Sequence, residues 1–203
     1  ALNEKDGHFY LSGVDAAAST RKGLSVKVQG DTELYADGQL FLKADRGINA
    51  TFSAPTTRAL NLFDAADVPE LGAVSGSAKL LIRTDSIGLI DTDIRIGGKG
   101  DSSARLQGQI SDIPLHEESI ARGIDMRLSV QSPDVAALAG KLDYTLPAIG
   151  AGEGSAHLVG NLDDLKIKQV HVRTGNKAEL EITARGDIDR LVLGKTVKLD
   201  NAL

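Results

Sequence analysis

PAIGAGEGSAHL (147–158) lies on PELGAVSGSAKL (69–80) at an offset of 78 positions. The match extends both ways without a gap: residues 54–113 align with 132–191, and 16 of the 60 pairs are identical. Pro55 falls on Pro133, Leu60 on Leu138, Asp85 on Asp163, Arg95 on Arg173, Gly97 on Gly175, Lys99 on Lys177, Gly108 on Gly186 and Ile110 on Ile188. Glycine, proline and aliphatic residues fix turns and buried faces rather than chemistry, so a period written in them marks a repeated structural unit. The chain divides into residues 1–53, the C-terminal part of a preceding repeat with Gly30 in the place of Gly108 and Gly186; 54–131, one unit; and 132–203, a further unit and the start of the next. A shared repeat argues for one continuous body, and its function is expected in a surface that the array extends.

Within each unit the text alternates with period two, the signature of strands half buried on one face. One side of this alternation carries Leu40, Leu42, Ile48 and Phe52, then Leu80, Ile82, Ile94 and Ile96, then Leu106 and Ile110. It continues through Ile124, Met126, Leu128 and Val130 to Leu158, Leu165, Ile167, Leu180 and Ile182. Ile90 is read on the same face as Ile94 and Ile96, with Thr92, while Asp91, Asp93 and Arg95 take the other. About twelve strands are expected, joined by short Gly- or Asp-rich turns at 36–38, 97–100 and 175–177, as antiparallel hairpins require. Between residues 164 and 174 the phase slips, which a β-bulge near Lys168 would correct. Two stretches read as helical, 55–67 and 133–144, each opening on Pro, the second with Ser132 as its expected N-cap.

Such a sheet offers more apolar area than two short helices can cover, far beyond the few hundred Å² usual on a soluble protein. Two arrangements satisfy it: a closed sandwich or solenoid, serving as a scaffold or adhesion module, or an open trough whose floor is covered by apolar ligand. Periodicity does not choose between them. The floor is smooth, since aromatics make up 3% of residues and Trp is absent. Aliphatic surface solvates acyl chains without directional demand, at roughly 25 cal/mol per Å².

The other chemistries are poorly represented. A net charge of -5 without a Lys/Arg cluster argues against nucleic acid as a partner. Zero cysteines exclude disulfides and thiolate chemistry. No run of about 18 apolar residues offers a membrane span. His8, His116, His157 and His171 sit in separate elements without ligand spacing, so no metal or other cofactor is expected. Gly194–Lys195–Thr196 lacks the earlier glycine of a phosphate loop, and Gly150, Gly152 and Gly154 read as a plain loop. Asp91 and Asp93 form a DxD pair that a solvated strand face explains, and Arg185–Gly186–Asp187 shares its glycine with the repeat. Asn49 to Thr51 forms a glycosylation sequon in mid-strand, a poor place for a glycan. With no legible hydrolase constellation, the chain does not read as an enzyme, and no catalytic residue is expected.

Residues 123–191 resemble the AsmA-like family, of the AsmA, YhdP and TamB type. The resemblance rests on Pro133, Asp134, Ala136, Ala137, Leu138 and Ala139, then Leu146, Pro147, Ile149 and Gly150, then Gly154, Ser155 and Leu158, and strand-end glycines Gly175 and Gly186. Residues 54–113 show the same order in weaker form. The resemblance implies a mainly β fold: an elongated, twisted antiparallel sheet curled into a groove, in repeating β-groove units of about 78 residues with one short helix per repeat. It further implies a bridge-like lipid transfer protein of a Gram-negative periplasm, carrying phospholipid acyl chains between inner and outer membranes in support of outer-membrane biogenesis. An inner-membrane anchor would lie outside this fragment, with partner proteins in the periplasm or outer membrane. The aliphatic residues named above would line the groove.

Overall fold

A computed structural model describes residues 1–5, 8–36, 39–60, 69–98, 100–115, 120–176 and 180–191. Alternating sequence produces strands, and short connections make each strand pair with the one before it. The described strands are β1 (Leu2–Lys5), β2 (His8–Ser19), β3 (Ser25–Ala36), β4 (Gln39–Ala54), β5 (Val74–Ile82) and β6 (Ser86–Gly97). They continue with β7 (Ser103–Pro114), β8 (Arg122–Ser132), β9 (Gly152–Asn161), β10 (Asp164–Asn176) and β11 (Leu180–Leu191). All eleven form one antiparallel sheet in sequence order. The sheet curls into a groove, and no second sheet lies over it among the described residues, so the closed sandwich is not the arrangement adopted.

The 78-residue period is the period of the structure. β2 (8–19) and β6 (86–97) are offset by 78 residues at both ends, as are β3 (25–36) and β7 (103–114). Each repeat is therefore four strands with a short helical turn between the third and fourth. In the first repeat that turn is a 3-10 helix, Thr57–Leu60; in the second it is α1 (Val135–Gly140). Residues 61–68 of the first helical stretch lie outside the described residues.

Local differences from the alternation have physical causes. The N-cap of α1 is Asp134, not Ser132: its extended backbone (φ -144, ψ 105) lets its carboxylate accept from Ala137 N–H. Ser132 instead ties down the approach, its hydroxyl donating to Asp134 C=O at 2.6 Å. Gly152 and Gly154 are not loop but the start of β9, paired with Ser132 and Val130 on one side and Thr174 and Val172 on the other. Leu162 lies in the turn after β9.

A bulge recurs at the same place in every repeat. Gly13, Asp91 and Gln169, each 78 residues from the next, adopt φ of 66, 52 and 52°. The register of their strands shifts there. Asp31 Oδ1 accepts from Gly13 N–H at 2.8 Å and Asp187 Oδ1 from Gln169 N–H at 2.7 Å; Gln109 holds the corresponding place in between. The expected bulge near Lys168 is the third of these. Alternation does not show the second, and it overturns the reading of Ile90: Leu89 pairs with Leu80 and Ile110, while Ile90 pairs with Lys79. Opposite the bulge stands Gly108, paired with Thr92; its φ is 144°, and a Cβ there would come within 2.0 Å of Asp125 O.

The curl, rather than a covering layer, makes the core. Ile124, Met126 and Leu165 are buried with Leu106, Ile110 and Leu158 packed against them. Nearer the helical turn, Leu24, Ala54, Ala59 and Val74 form a second cluster. The chain exposes 13835 Å², against ~9,100 Å² for a compact domain of this mass. Among the described residues, no large side chain is fully buried.

Candidate functional site

Residues paired across antiparallel strands share a face, and so do alternate residues along one strand. Those two rules assemble the apolar face from the register. A first row runs Ala54, Val74, Ile96, Ala104, Val130, Gly154, Val172. A second runs Val26, Phe52, Gly76, Ile94, Leu106, Leu128, Ala156. The third comprises Thr92, Gly108, Met126, Leu158, Ile167 and Ile188. A fourth joins Ile48, Leu80, Leu89, Ile110, Ile124, Gly160 and Leu165. Ile82, Ile87 and Ile113 continue beyond it.

By register, the singled-out residues whose side chains are described fall on one side of the sheet. Ile182 belongs to the same side, opposite Thr174. The side chains of Leu40, Leu42 and Leu180 lie outside the described residues. Val26, Leu89, Ile113 and Val172 also belong to the face; Leu89 was hidden by the bulge, because its neighbour Ile90 fits unbroken alternation equally well. Exposure rises toward the last strands: Met126 is 3% exposed, whereas Val172 is 41% and Ile182 45%. The floor is not wholly apolar. Thr92 is buried and its Oγ1 has no hydrogen-bond partner.

The opposite face carries ion pairs set by the repeat. Arg105 grips Asp93 with two hydrogen bonds, Nε at 2.8 Å and Nη2 at 2.7 Å, and Arg95 adds a third at 3.2 Å. Hydrogen bonding from Arg105 is the main cause that lowers the Asp93 carboxyl to about 2, and it raises the Arg105 guanidinium in turn. At the equivalent positions of the first repeat, Lys27 meets Asp15 at 3.4 Å. Asp93 is thus engaged by arginines and Asp91 shapes a bulge. Among the described residues no group of three or more His, Cys, Asp or Glu is placed to hold a metal ion.

Histidine pairing escaped sequence spacing altogether. His8 Nδ1 meets Glu33, and His157 Nε2 meets Asp125 Oδ1 at 2.6 Å, across 25 and 32 residues of chain. His171 Nδ1 accepts from Arg185 Nε at 3.2 Å. His116 lies outside the described residues, as does 194–196. Arg185, Gly186 and Asp187 form part of β11, where Asp187 serves the bulge. Among the described residues no helix is long and apolar enough to cross a membrane.

A hollow of about 590 Å³ lies at the strand ends near α1, bordered by residues of both faces. No family model, curated protein or solved structure matches the chain.

Proposed function

We propose that this chain is a segment of a lipid conduit, in which the apolar side of the curled sheet shields phospholipid acyl chains while headgroups stay in water. The observation that carries this reading is the unroofed floor: four adjacent rows, mainly aliphatic with glycines and Thr92 among them, run across the strands, and no second sheet covers them among the described residues. Each methylene transferred from water to such a floor contributes on the order of 0.8 kcal/mol. Because the lining is interchangeable aliphatic surface, no position holds a tail in a deep minimum, and sliding follows. The resemblance of residues 123–191 to the AsmA-like family supports the same reading. It adds the setting: a bridge-like lipid transfer protein of the periplasm, anchored at the inner membrane, delivering phospholipid toward the outer membrane alongside partner proteins.

The test is lipid retention. After incubation with phospholipid vesicles, native mass spectrometry of the purified chain is expected to find phospholipid bound in defined stoichiometry. Leu128→Asp sets a carboxylate in the middle of the second row, where contact with hydrocarbon costs several kcal/mol, and should reduce retained lipid about tenfold or more. Ile94, Leu106 and Ile182, partly or well exposed on the same face, are further positions for a blocking charge, whereas a charge at buried Met126 would also break the core. A wild-type chain that retains no lipid overturns the conduit.

A further inference from the structure

The two repeats differ where the helical turn meets the strand ends. In the first, Leu24, Ala54 and Val74 are buried together and Ile96 packs on them, an apolar plug. Seventy-eight residues on, the same places hold Ser102, Ser132, Gly152 and Thr174. These hydroxyls form a built polar rim. Ser132 and Thr174 are each 6% exposed. Ser132 gives its only proton to Asp134 C=O, so Ser102 Oγ donates to Ser132 Oγ across 2.7 Å. Thr174 Oγ1 donates to Ala151 C=O at 3.1 Å.

The hollow of about 590 Å³ opens on this rim, and Asp101, Gln131, Ser132, Glu153, Arg173 and Thr174 border it. Arg173 Nη1 and Glu153 Oε1 stand 3.7 Å apart there. The first-repeat counterparts of the two carboxylates, Gly23 and Ser75, carry no charge. Among the described residues, a guanidinium and a carboxylate 3.7 Å apart, with Asp101 on the same border, suit a ligand that carries a phosphate and an ammonium a short linker apart. A purely anionic ligand would pair with Arg173 but bring no cation to the carboxylates.

We infer that this hollow is a subsite for a zwitterionic phosphoethanolamine group, with the phosphate on Arg173 and the ammonium on Glu153 and Asp101. Taken as a lipid headgroup site it rests on the conduit reading, because β8 leads from Ser132 directly to Val130 and Leu128 on the apolar floor. Glu153 and Arg173 pair with each other on the polar face, so a headgroup held by them would sit over the strand ends and its tails would pass the rim onto that row. The second repeat would then select a headgroup class, whereas the plugged first repeat would not.

Two measurements separate the parts. Soluble glycerophosphoethanolamine, which has no tails, is titrated into the chain while backbone amides are followed by NMR. Saturable shifts at Ser132, Glu153, Arg173 and Thr174 are expected with a millimolar dissociation constant, glycerophosphoglycerol binding about fivefold more weakly. Both effects should vanish in Arg173→Gln combined with Glu153→Gln. The second measurement compares retention of phosphoethanolamine and phosphoglycerol lipids with identical tails. Lipid retained without regard to headgroup, with no shifts from the soluble probe, overturns the subsite and leaves the conduit standing. Shifts from the probe without any retained lipid establish a site for a free zwitterion and remove the conduit.

Discussion

Thr92 shows how the repeat identifies a misfit residue. Its hydroxyl is buried on the apolar face without a hydrogen-bond partner, and the equivalent positions are Val14 and Val170, all three paired with the repeat's strand glycine. A buried hydroxyl without a partner costs roughly 1 to 3 kcal/mol. Thr92→Val keeps the shape and removes the unmet group, so it should raise stability by about 1 kcal/mol, read from the urea midpoint. Asp93 behaves in the opposite way. Its folded pKa of about 2 lies below the ordinary 3.8, so its contribution is complete above about pH 4 and is lost as pH falls through 2. Urea midpoints measured from about pH 5 down to about pH 2 should therefore fall more steeply for wild type than for Asp93→Asn. Parallel curves would mean that the arginine pair contributes nothing to folding.

At the scale of elements, what was legible depended on whether polar and apolar residues disagreed at the critical place. β8 and the first rows of the apolar face follow from alternation alone, because Ile124, Met126, Leu128 and Val130 are separated by Asp125, Arg127 and Ser129. The bulge in β10 could be read because Lys168 and Gln169 interrupt an aliphatic series. The same bulge in β6 could not, since Leu89 and Ile90 are both aliphatic and either satisfies the pattern. Aspartate at Asp91 also gives no sign of its left-handed backbone, which glycine at Gly13 would have suggested. The N-cap was misplaced by two residues because Ser132 and Asp134 both qualify, and only backbone angle distinguishes them. Pairs such as His157 with Asp125 depend on strand order and register, which no local spacing records. The polar rim of the second repeat was present in the alignment as Ser102, Ser132 and Thr174, but it acquired meaning only once Leu24, Ala54 and Ile96 were found packed together.

Over the whole molecule, each strand is bonded only to its sequence neighbours among the described residues, so stability is a chain of nearest-neighbour terms. Interior strands are held on two sides and end strands on one. Amide exchange should accordingly be slowest in β7 to β9, around buried Ile124 and Met126, and fastest in β1. Uniform protection from end to end would instead indicate a single cooperative block. The bulges at Gly13, Asp91 and Gln169 bear on the same architecture. Each inserts an extra residue into its strand and sharpens the local twist, and each recurs after four strands at the same height. Together they act as a crease folded across the ribbon at regular intervals, like the score line that lets card roll into a tube. Excising Asp91 would iron out one fold of that crease while Ile87 and Leu89 kept their inward places, since Leu89, Ile90 and Thr92 would then alternate without interruption: the ribbon would lose curl there and keep its dress.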